Sequence, residues 1–330
     1  MRILISAGGT VTAQSLVKAL REDGRATFIS IVDLDDLNAT KFFVDEFVQV
    51  PRADDPKFVD ACLDVVRRLR IELFVPIIVE REFLPIDARR DEFAALGCHV
   101  TVPPRDVVTN AGDKLAFARF LDSAGIEGPR TVEYEDGLVP ERFPVYLKPR
   151  RGSGSVGTQR IVSLDSLHEA ALGRSDLIVQ DEVEGTEFTV DCFAAAPGRV
   201  VAAVPRERIA IKAGVSVKGR TYRHDRIEAI AADIVEKTGI TGPANVQGML
   251  RADGSFSIVE MNPRFSGTLA LTTASGVNFA TLLLDMVSGK PVEDMRGKHR
   301  AGVTMMRYWS ETFEDVDGTR RLGTTMSARG

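Results

Sequence analysis

Three clusters, far apart in the chain, carry side chains suited to holding a charged phosphate. Residues 148–157 read KPRRGSGSVG, a lysine followed by glycines at 152, 154 and 157 in the spacing G-x-G-x-x-G. Glycines leave backbone N–H groups open to an anion and permit backbone shapes closed to other residues. Residues 244–264 read ANVQGMLRADGSFSIVEMNPR, with two carboxylates, Asp253 and Glu260, and several amides, ending in an arginine. Residues 177–191 read LIVQDEVEGTEFTVD, a buried run that turns acidic around Gly185.

The letters G-x-G-x-x-G have several owners. A dinucleotide fingerprint needs a helix opening on its last glycine, yet Gly157 is followed by TQRIVSL, which reads as a strand. A Walker A loop needs lysine after its last glycine, where Thr158 and Gln159 stand. What fits is a strand, a glycine hairpin and a strand folded over phosphates, the device protein kinases use. The kinase sequences HRD and DFG are absent, however, and Lys148 precedes the first glycine by four positions. An exposed Gly/Ser turn fits the same letters.

The second cluster reads as a β-hairpin with Asp253-Gly254 as a two-residue turn. Cross-strand partners then put Gln247 opposite Glu260 and Asn245 opposite Asn262, with 260 and 262 on one face. A carboxylate and amide oxygens gathered this way suit Mg²⁺, which takes one or two carboxylates and otherwise water and phosphate oxygens. An exposed polar strand face is the alternative. In the third cluster a connection around Gly185 offers backbone groups to a purine edge and Glu187 to ribose hydroxyls. A surface acidic turn would look the same.

The elements that must position these residues follow from periodicity. Strand patterns at Ile3–Ile5, Phe28–Val32, Leu73–Ile78 and Cys98–Val102 alternate with a helical segment after Gly9, with Leu16, Val17 and Leu20 on one stripe, and with helical patterns over 59–69 and 83–96. Such alternation predicts a parallel sheet covered on both faces, with ligands at the carboxyl ends of its strands. That edge holds Gly8-Gly9 and the acidic tip Glu80–Glu82, which would suit a substrate ammonium group or simply begin a helix. Pro103-Pro104 closes this unit, and Asp113 is placed to cap a helix, DKLAFARFLDSAG, ending at Gly125. Residues 206–223, RERIAIKAGVSVKGRTYR, read either as a basic loop near phosphates, with Arg208 or Lys212 reaching in, or as a solvated strand pair.

Composition narrows the partners. The chain has 330 residues, 44% of them hydrophobic and 27% charged, with a net charge of −5 and a pI near 5.6. Nothing there favours nucleic acid or an anionic membrane. Three scattered cysteines, 62, 98 and 192, suit a reducing, cytoplasmic setting. No apolar run is long enough to span a bilayer, and the four histidines show no metal spacing.

Taken in order, the three clusters resemble the ATP-grasp superfamily, within it the carbamoyl-phosphate-synthase-like branch. The resemblance covers nearly the whole chain: DKLAFARFLDSAGI, YLKPRRGSGSVG, QDEVEGTEF and NVQGML…IVEMNPRFSG follow in the family's order. It implies an α/β chain with an α+β grasp. A Rossmann-like pre-ATP-grasp domain would occupy 1–109. A small grasp subdomain with the glycine lid would follow over 110–185, then a large one with the Mg/phosphate site over 186–330. Carried over residue by residue, Lys114 and Lys148 contact ATP phosphates, and Gly152, Ser153, Gly154, Ser155 and Gly157 form the lid. Gln180, Asp181, Glu182 and Val183 line the adenine pocket, Glu187 holds the ribose, and Lys212 reaches the nucleotide. Gln247, Glu260 and Asn262 bind one or two Mg²⁺, with Mn²⁺ as a substitute. Arg264, with Lys148, is the catalytic group on the transferred phosphoryl, and Ser266-Gly267 approach the acyl substrate.

The chemistry so implied is transfer of the γ-phosphate to a carboxylate, then attack by an amine on the acyl phosphate, releasing ADP and phosphate. The substrates would be a small carboxylate and an amine, amino acids or their derivatives, and a homodimer is compatible with this. The chain departs from carbamoyl phosphate synthase in having one synthetase unit instead of two, and Lys148 where that enzyme has arginine. It is more similar to amino-acid ligases of the pyrrolysine-biosynthesis type. A small-molecule carboxylate kinase and a non-catalytic ATP-binding regulator are the other readings.

Overall fold

The apolar strand patterns of the first hundred residues pair as a parallel sheet. The computed structural model of the chain describes residues 1–323 except 153, 155 and 213, and Glu80 by its backbone alone. Two compact units divide it: residues 1–102 with 267–270 and the stretch from 305 onward, and residues 103–266 with 271–304.

In the first unit the order is β1 (Arg2–Ile5), α1 (Val11–Asp23), β2 (Phe28–Asp33), β3 (Glu46–Gln49), α2 (Phe58–Leu69), β4 (Leu73–Val75), α3 (Leu84–Asp87), α4 (Arg90–Ala95) and β5 (His99–Val100). The sheet order is β3-β2-β1-β4-β5, and every pairing is parallel. Ile3, Leu4, Ile5, Ile29, Ile31, Leu73 and Phe74 are fully buried, as strands covered on both faces require. Thr10 caps α1 by accepting from the Ala13 N–H, and Gly24 ends it with φ +80°.

The single helix expected over 83–96 is broken. A π-turn at Val79–Phe83 precedes α3, and Arg89, at φ −120°, separates α3 from α4. Two local forces compete with a continuous helix. Pro85 lies at the start of α3, where it begins a helix but cannot continue one. The Glu82 carboxylate draws the preceding turn onto itself, accepting from Ser6 Oγ at 2.5 Å and from the N–H groups of Ile77 and Ile78 at 3.0 and 2.9 Å. Glu82 is 4% exposed, and burial pushes its pKa up. It ties the ends of β1 and β4 together, a role unlike the ammonium recognition weighed from the acidic tip.

The second unit opens with α5 (Arg105–Gly112) and α6 (Lys114–Ser123). Next come β6 (Thr131–Glu133), β7 (Val145–Pro149), β8 (Gln159–Ile161), α7 (Leu164–Ala171) and β9 (Leu177–Asp181). These strands form an antiparallel sheet in the order β6-β9-β7-β8. The chain continues through β10 (Thr186–Ala196), β11 (Arg199–Lys212), β12 (Val215–Thr221), α8 (Asp225–Thr238), β13 (Gly242–Leu250), β14 (Phe256–Asn262), α9 (Leu269–Ala274), α10 (Phe279–Val287) and β15 (Thr304–Met306). The larger sheet runs β14-β13-β10-β11-β12-β15. Ile227, Ala231, Ile234 and Val235 of α8 join Phe188, Val190, Cys192, Val246, Ile258 and Met261 in one core on one face of this sheet. A short hairpin, β16 (Thr312–Glu314) and β17 (Arg320–Leu322), belongs to the first unit, where Glu314 pairs with the buried Lys41. Among the described residues no helix is long and apolar enough to cross a membrane. All three cysteines are buried and unbridged.

Candidate active site

Alternation along β10 decides which side chains meet. Phe188, Val190, Cys192 and Ala194 enter the core against α8, so Glu187, Thr189 and Asp191 share the opposite face. The ladder extends that polar face across four strands. Thr189 pairs with Gln247 of β13 and with Arg206 of β11, and Asp191 pairs with Asn245. Gln247 in turn faces Glu260 of β14, and Asn245 faces Asn262.

Those last two pairings are the ones expected from the sequence, but they arise differently. The turn is a three-residue loop, with Arg251 N–H donating to Ser255 O at 2.9 Å and Gly254 at φ +80°. That loop shifts the register by one, so that Leu250 faces Phe256 and Gly248 faces Ile258. A bulge between Gln247 and Gly248 shifts it back. Gly248 is required there: a methyl group on it would lie 2.7 Å from Ser257 O and from the Phe256 ring. On the restored face Asn262 Nδ2 donates to Glu260 Oε1 at 2.5 Å.

Residues 206–212 and 215–221 form strands, as one reading held, and while Lys212, Lys218 and Arg220 are exposed, Arg206 and Arg208 of β11 point into this face. Arg206 is 1% exposed and donates to Asp191 at 2.5 and 3.1 Å. Ser266 and Thr272 hydroxyls complete the Asp191 shell at 3.1 and 2.5 Å. Arg208 donates to Glu187 at 2.5 Å, Gln247 at 3.3 Å, Ser216 at 3.1 Å and Gly214 O at 2.9 Å. It thus joins the proposed ribose carboxylate to the first metal-ligand candidate, a link no sequence spacing revealed. Lys212 is exposed at the end of β11.

The glycine segment joins β7 to β8, with Val145 facing Ile161 and Leu147 facing Gln159. This is the strand–glycine–strand arrangement that excluded the dinucleotide reading. Gly152, Gly154 and Gly157 all have positive φ, at +117°, +67° and +73°, where side chains are strained. Ser153 and Ser155 lie outside the described residues. The tip of the β11–β12 hairpin meets this segment, since a methyl on Gly214 would sit 3.4 Å from Gly154 Cα.

Lys148, at the root of the segment, donates to Gln180 Oε1 at 2.6 Å, while Gln180 Nε2 donates to Thr131 Oγ1 at 2.9 Å. Burial depresses the Lys148 ammonium to about 8, Lys114 adds to this, and Glu260 and Glu187 oppose it. Lys114 Nζ donates to the carbonyls of Pro149 and Gly152 at 3.2 and 2.8 Å. Asp181 and Glu182 sit at the end of β9 with engaged side chains. Asp181 accepts from Arg142 at 3.1 Å. Glu182 accepts from Arg160 twice at 2.7 Å and from Tyr146 at 3.1 Å, and Arg160 holds its carboxyl below the usual range. Val183 is half-buried beyond the strand end. Gly185 then passes so close to Leu250 O that a methyl would meet it at 2.4 Å. Arg264 is half-buried just past β14, donating to Phe265 O at 2.8 Å. Ser266 is committed to the buried Asp191 group.

The donor set fits Mg²⁺. Among the described residues no group of three or more His, Cys, Asp or Glu side chains could hold a metal. One carboxylate and two amides on adjacent strands leave most of a hard cation's shell to water and phosphate oxygens, as Mg²⁺ prefers.

Comparison with known proteins matches two stretches of the chain to families. Residues 173–309 match the family described as ATP-grasp in the biosynthetic pathway with Ter operon, and residues 3–101 match the PylC-like N-terminal domain. The chain is 24% identical over 220 residues to a D-alanine–D-alanine ligase of Cupriavidus taiwanensis, covering 57% of this chain and 67% of the ligase. It is 23% identical over 218 residues to the carbamoyl phosphate synthase large chain of Bifidobacterium longum, covering 58% of this chain and 19% of that one. In structure it resembles N5-carboxyaminoimidazole ribonucleotide synthetase from Thermotoga maritima, with a TM-score of 0.66 and 15% identity over 89% of this chain and 77% of that one. Pyruvate carboxylase of Rhizobium etli gives a TM-score of 0.70 at 18% identity, over 92% of this chain and 30% of that one. The chain carries an ATP-grasp domain over residues 173–309, behind a PylC-like N-terminal domain.

Proposed function

We propose that the protein is an ATP- and Mg²⁺-dependent carboxylate–amine ligase acting on small molecules, amino acids or their derivatives. The observation that carries this reading is the convergence on Lys148. Its ammonium lies within electrostatic reach of Glu260 and Glu187, one from each of the other two clusters, and of Lys114 at the start of α6.

In this reading Lys148 and Lys114 neutralise the ATP phosphates and the glycine hairpin closes over them, excluding water from a reactive intermediate. Backbone groups at Asp181–Val183 face the adenine edge, and Glu187 accepts from the ribose hydroxyls once Arg208 yields. Gln247, Glu260 and Asn262 would hold Mg²⁺, which supplies charge neutralisation on the phosphoryl oxygens when bound. A carboxylate oxygen of the first substrate attacks the γ-phosphorus, and the bond to the β,γ-bridging oxygen breaks, leaving ADP. Arg264 balances charge on the transferred phosphoryl group. The amine lone pair then attacks the acyl carbon, the amine loses a proton, and inorganic phosphate departs with the C–O bonding pair. Because phosphoryl transfer asks mainly for positioning and charge, lysine, arginine and a metal suffice.

The test is ADP release from the intact chain, with MgATP, against pairs of amino acids. Release of ADP and phosphate only when both an acid and an amine are present is the expected result. An acyl phosphate that accumulates without any amine would make the protein a kinase. Nucleotide binding without ADP formation from any pair would make it a regulator.

A further inference from the structure

The glycine hairpin is held at its root by a carboxylate that the reaction above does not use. Asp113 is 4% exposed and caps α6, accepting from the N–H groups of Leu115 and Ala116 at 3.1 Å each. The same carboxylate receives Arg150 Nε at 2.8 and 2.9 Å and Arg151 Nη2 at 2.8 Å. Asp113 and Arg151 also form an antiparallel backbone bridge, and Lys114 N–H donates to Arg150 O at 3.1 Å. Arg150 and Arg151 lie between Lys148 and Gly152, so all these bonds fall on the first residues of the hinge. The far root is held more lightly, by Arg174 donating to Gly157 O at 2.7 Å.

A helix cap needs one side-chain acceptor for two N–H groups. It does not need a full negative charge shared with two guanidiniums, and those pairs are the charge-assisted kind. We propose that Asp113 is a positioning residue for the phosphate site: its carboxylate clamps Arg150 and Arg151 and thereby fixes where Lys148 points and where the hairpin begins to swing. The proposal rests on the ATP reading for its kinetic consequence, though not for its structural one.

The substitution Asp113→Asn separates the two roles, because asparagine caps a helix as well as aspartate but cannot balance the arginines. In the full chain, Asp113→Asn should keep the thermal midpoint and far-UV spectrum of the parent. Backbone amides of 150–152 should exchange faster, and KM for ATP should rise about tenfold with a smaller change in kcat. Arg150→Gln, which leaves the cap intact, should reproduce both effects. Unchanged exchange at 150–152 and unchanged KM in both variants would reduce Asp113 to a cap and overturn the proposal. Exchange measured without nucleotide decides the clamp on its own. If the parent binds no ADP, the ATP reading fails while the clamp is still tested.

Discussion

The two sheets of the second unit hold their share of the site by different means. On the larger sheet, Glu187, Gln247, Glu260 and Asn262 are placed by strand register, over nine consecutive pairs between β10 and β13. On the smaller sheet, β7 and β8 share three pairs, and the glycine segment depends on side-chain bonds to helix α6. Rigid elements are the better place for a constellation that must be accurate, and weakly paired ones for a segment that must open and close. In the proposed reading the metal-binding groups therefore sit on register, while Lys148 and the glycine hairpin depend on clamps. The two halves should accordingly fail differently when cut: the larger sheet by unfolding or by losing chemistry, the smaller one by losing grip on nucleotide.

The largest effect should come from the buried ion pair under the polar face. Asp191 and Arg206 side chains are each 2% exposed. Asp191→Ala would leave an uncompensated guanidinium in the core, costing about 3–5 kcal/mol of stability in a denaturant titration. Replacing both, Asp191→Leu with Arg206→Met, should recover most of that loss, because removing a whole buried pair is often near neutral. A single variant as stable as the parent would mean the polar face is not held by this pair, and the contrast between the sheets would collapse.

Next comes Glu260→Gln, which keeps shape and loses charge. It should lower kcat by about 10²–10³-fold with little change in the denaturation midpoint. Loss of stability instead would turn Glu260 into a structural residue, and near-normal kcat would refute its place in the metal set.

The sequence discloses these two halves unequally, for physical reasons. Alternation in EFTVDCF and the spacing within VQ and EMN are local, so the polar face can be drawn before any coordinates. The expected register holds there although the expected turn does not, because a longer loop and a bulge at Gln247/Gly248 cancel. Bulges leave little trace beyond a glycine such as Gly248. The cap at Asp113 is legible since an N-cap is a contact within four residues. Its arginines lie 37 and 38 positions away, and charge partners at that distance have no periodic signature. The same holds for Arg206 and Arg208, whose stretch looks like a solvated strand until the fold turns them inward. Strand β3 carries little signal because EFVQ is short and half-exposed, and the break at Arg89 is hidden because apolar spacing over 83–96 outweighs one proline.

The smallest effect tests the charge at the lid's root. The Lys148 ammonium is depressed to about 8 from its ordinary value of 10.5, chiefly by burial and then by the nearby Lys114 charge. A folded-state pKa below the unfolded one means the native chain binds fewer protons between those two values. Stability should then rise with pH across that window, the strain of the buried charge being present below about 8 and relieved above it. Nucleotide binding should run the opposite way, because the phosphates need the charged form. At pH 9 about one molecule in ten would carry it, so the Kd for MgADP or MgATP should weaken about tenfold relative to pH 7. Phosphate groups titrate near pH 6 and contribute little there. Titration calorimetry at pH 7, 8 and 9 gives the curve, and Lys148→Arg, which stays charged throughout, should flatten it. A parent curve as flat as the arginine variant's would place the lysine away from the phosphates. The lid would then be a cover with no charge at its root, and the smaller sheet's role would reduce to excluding water.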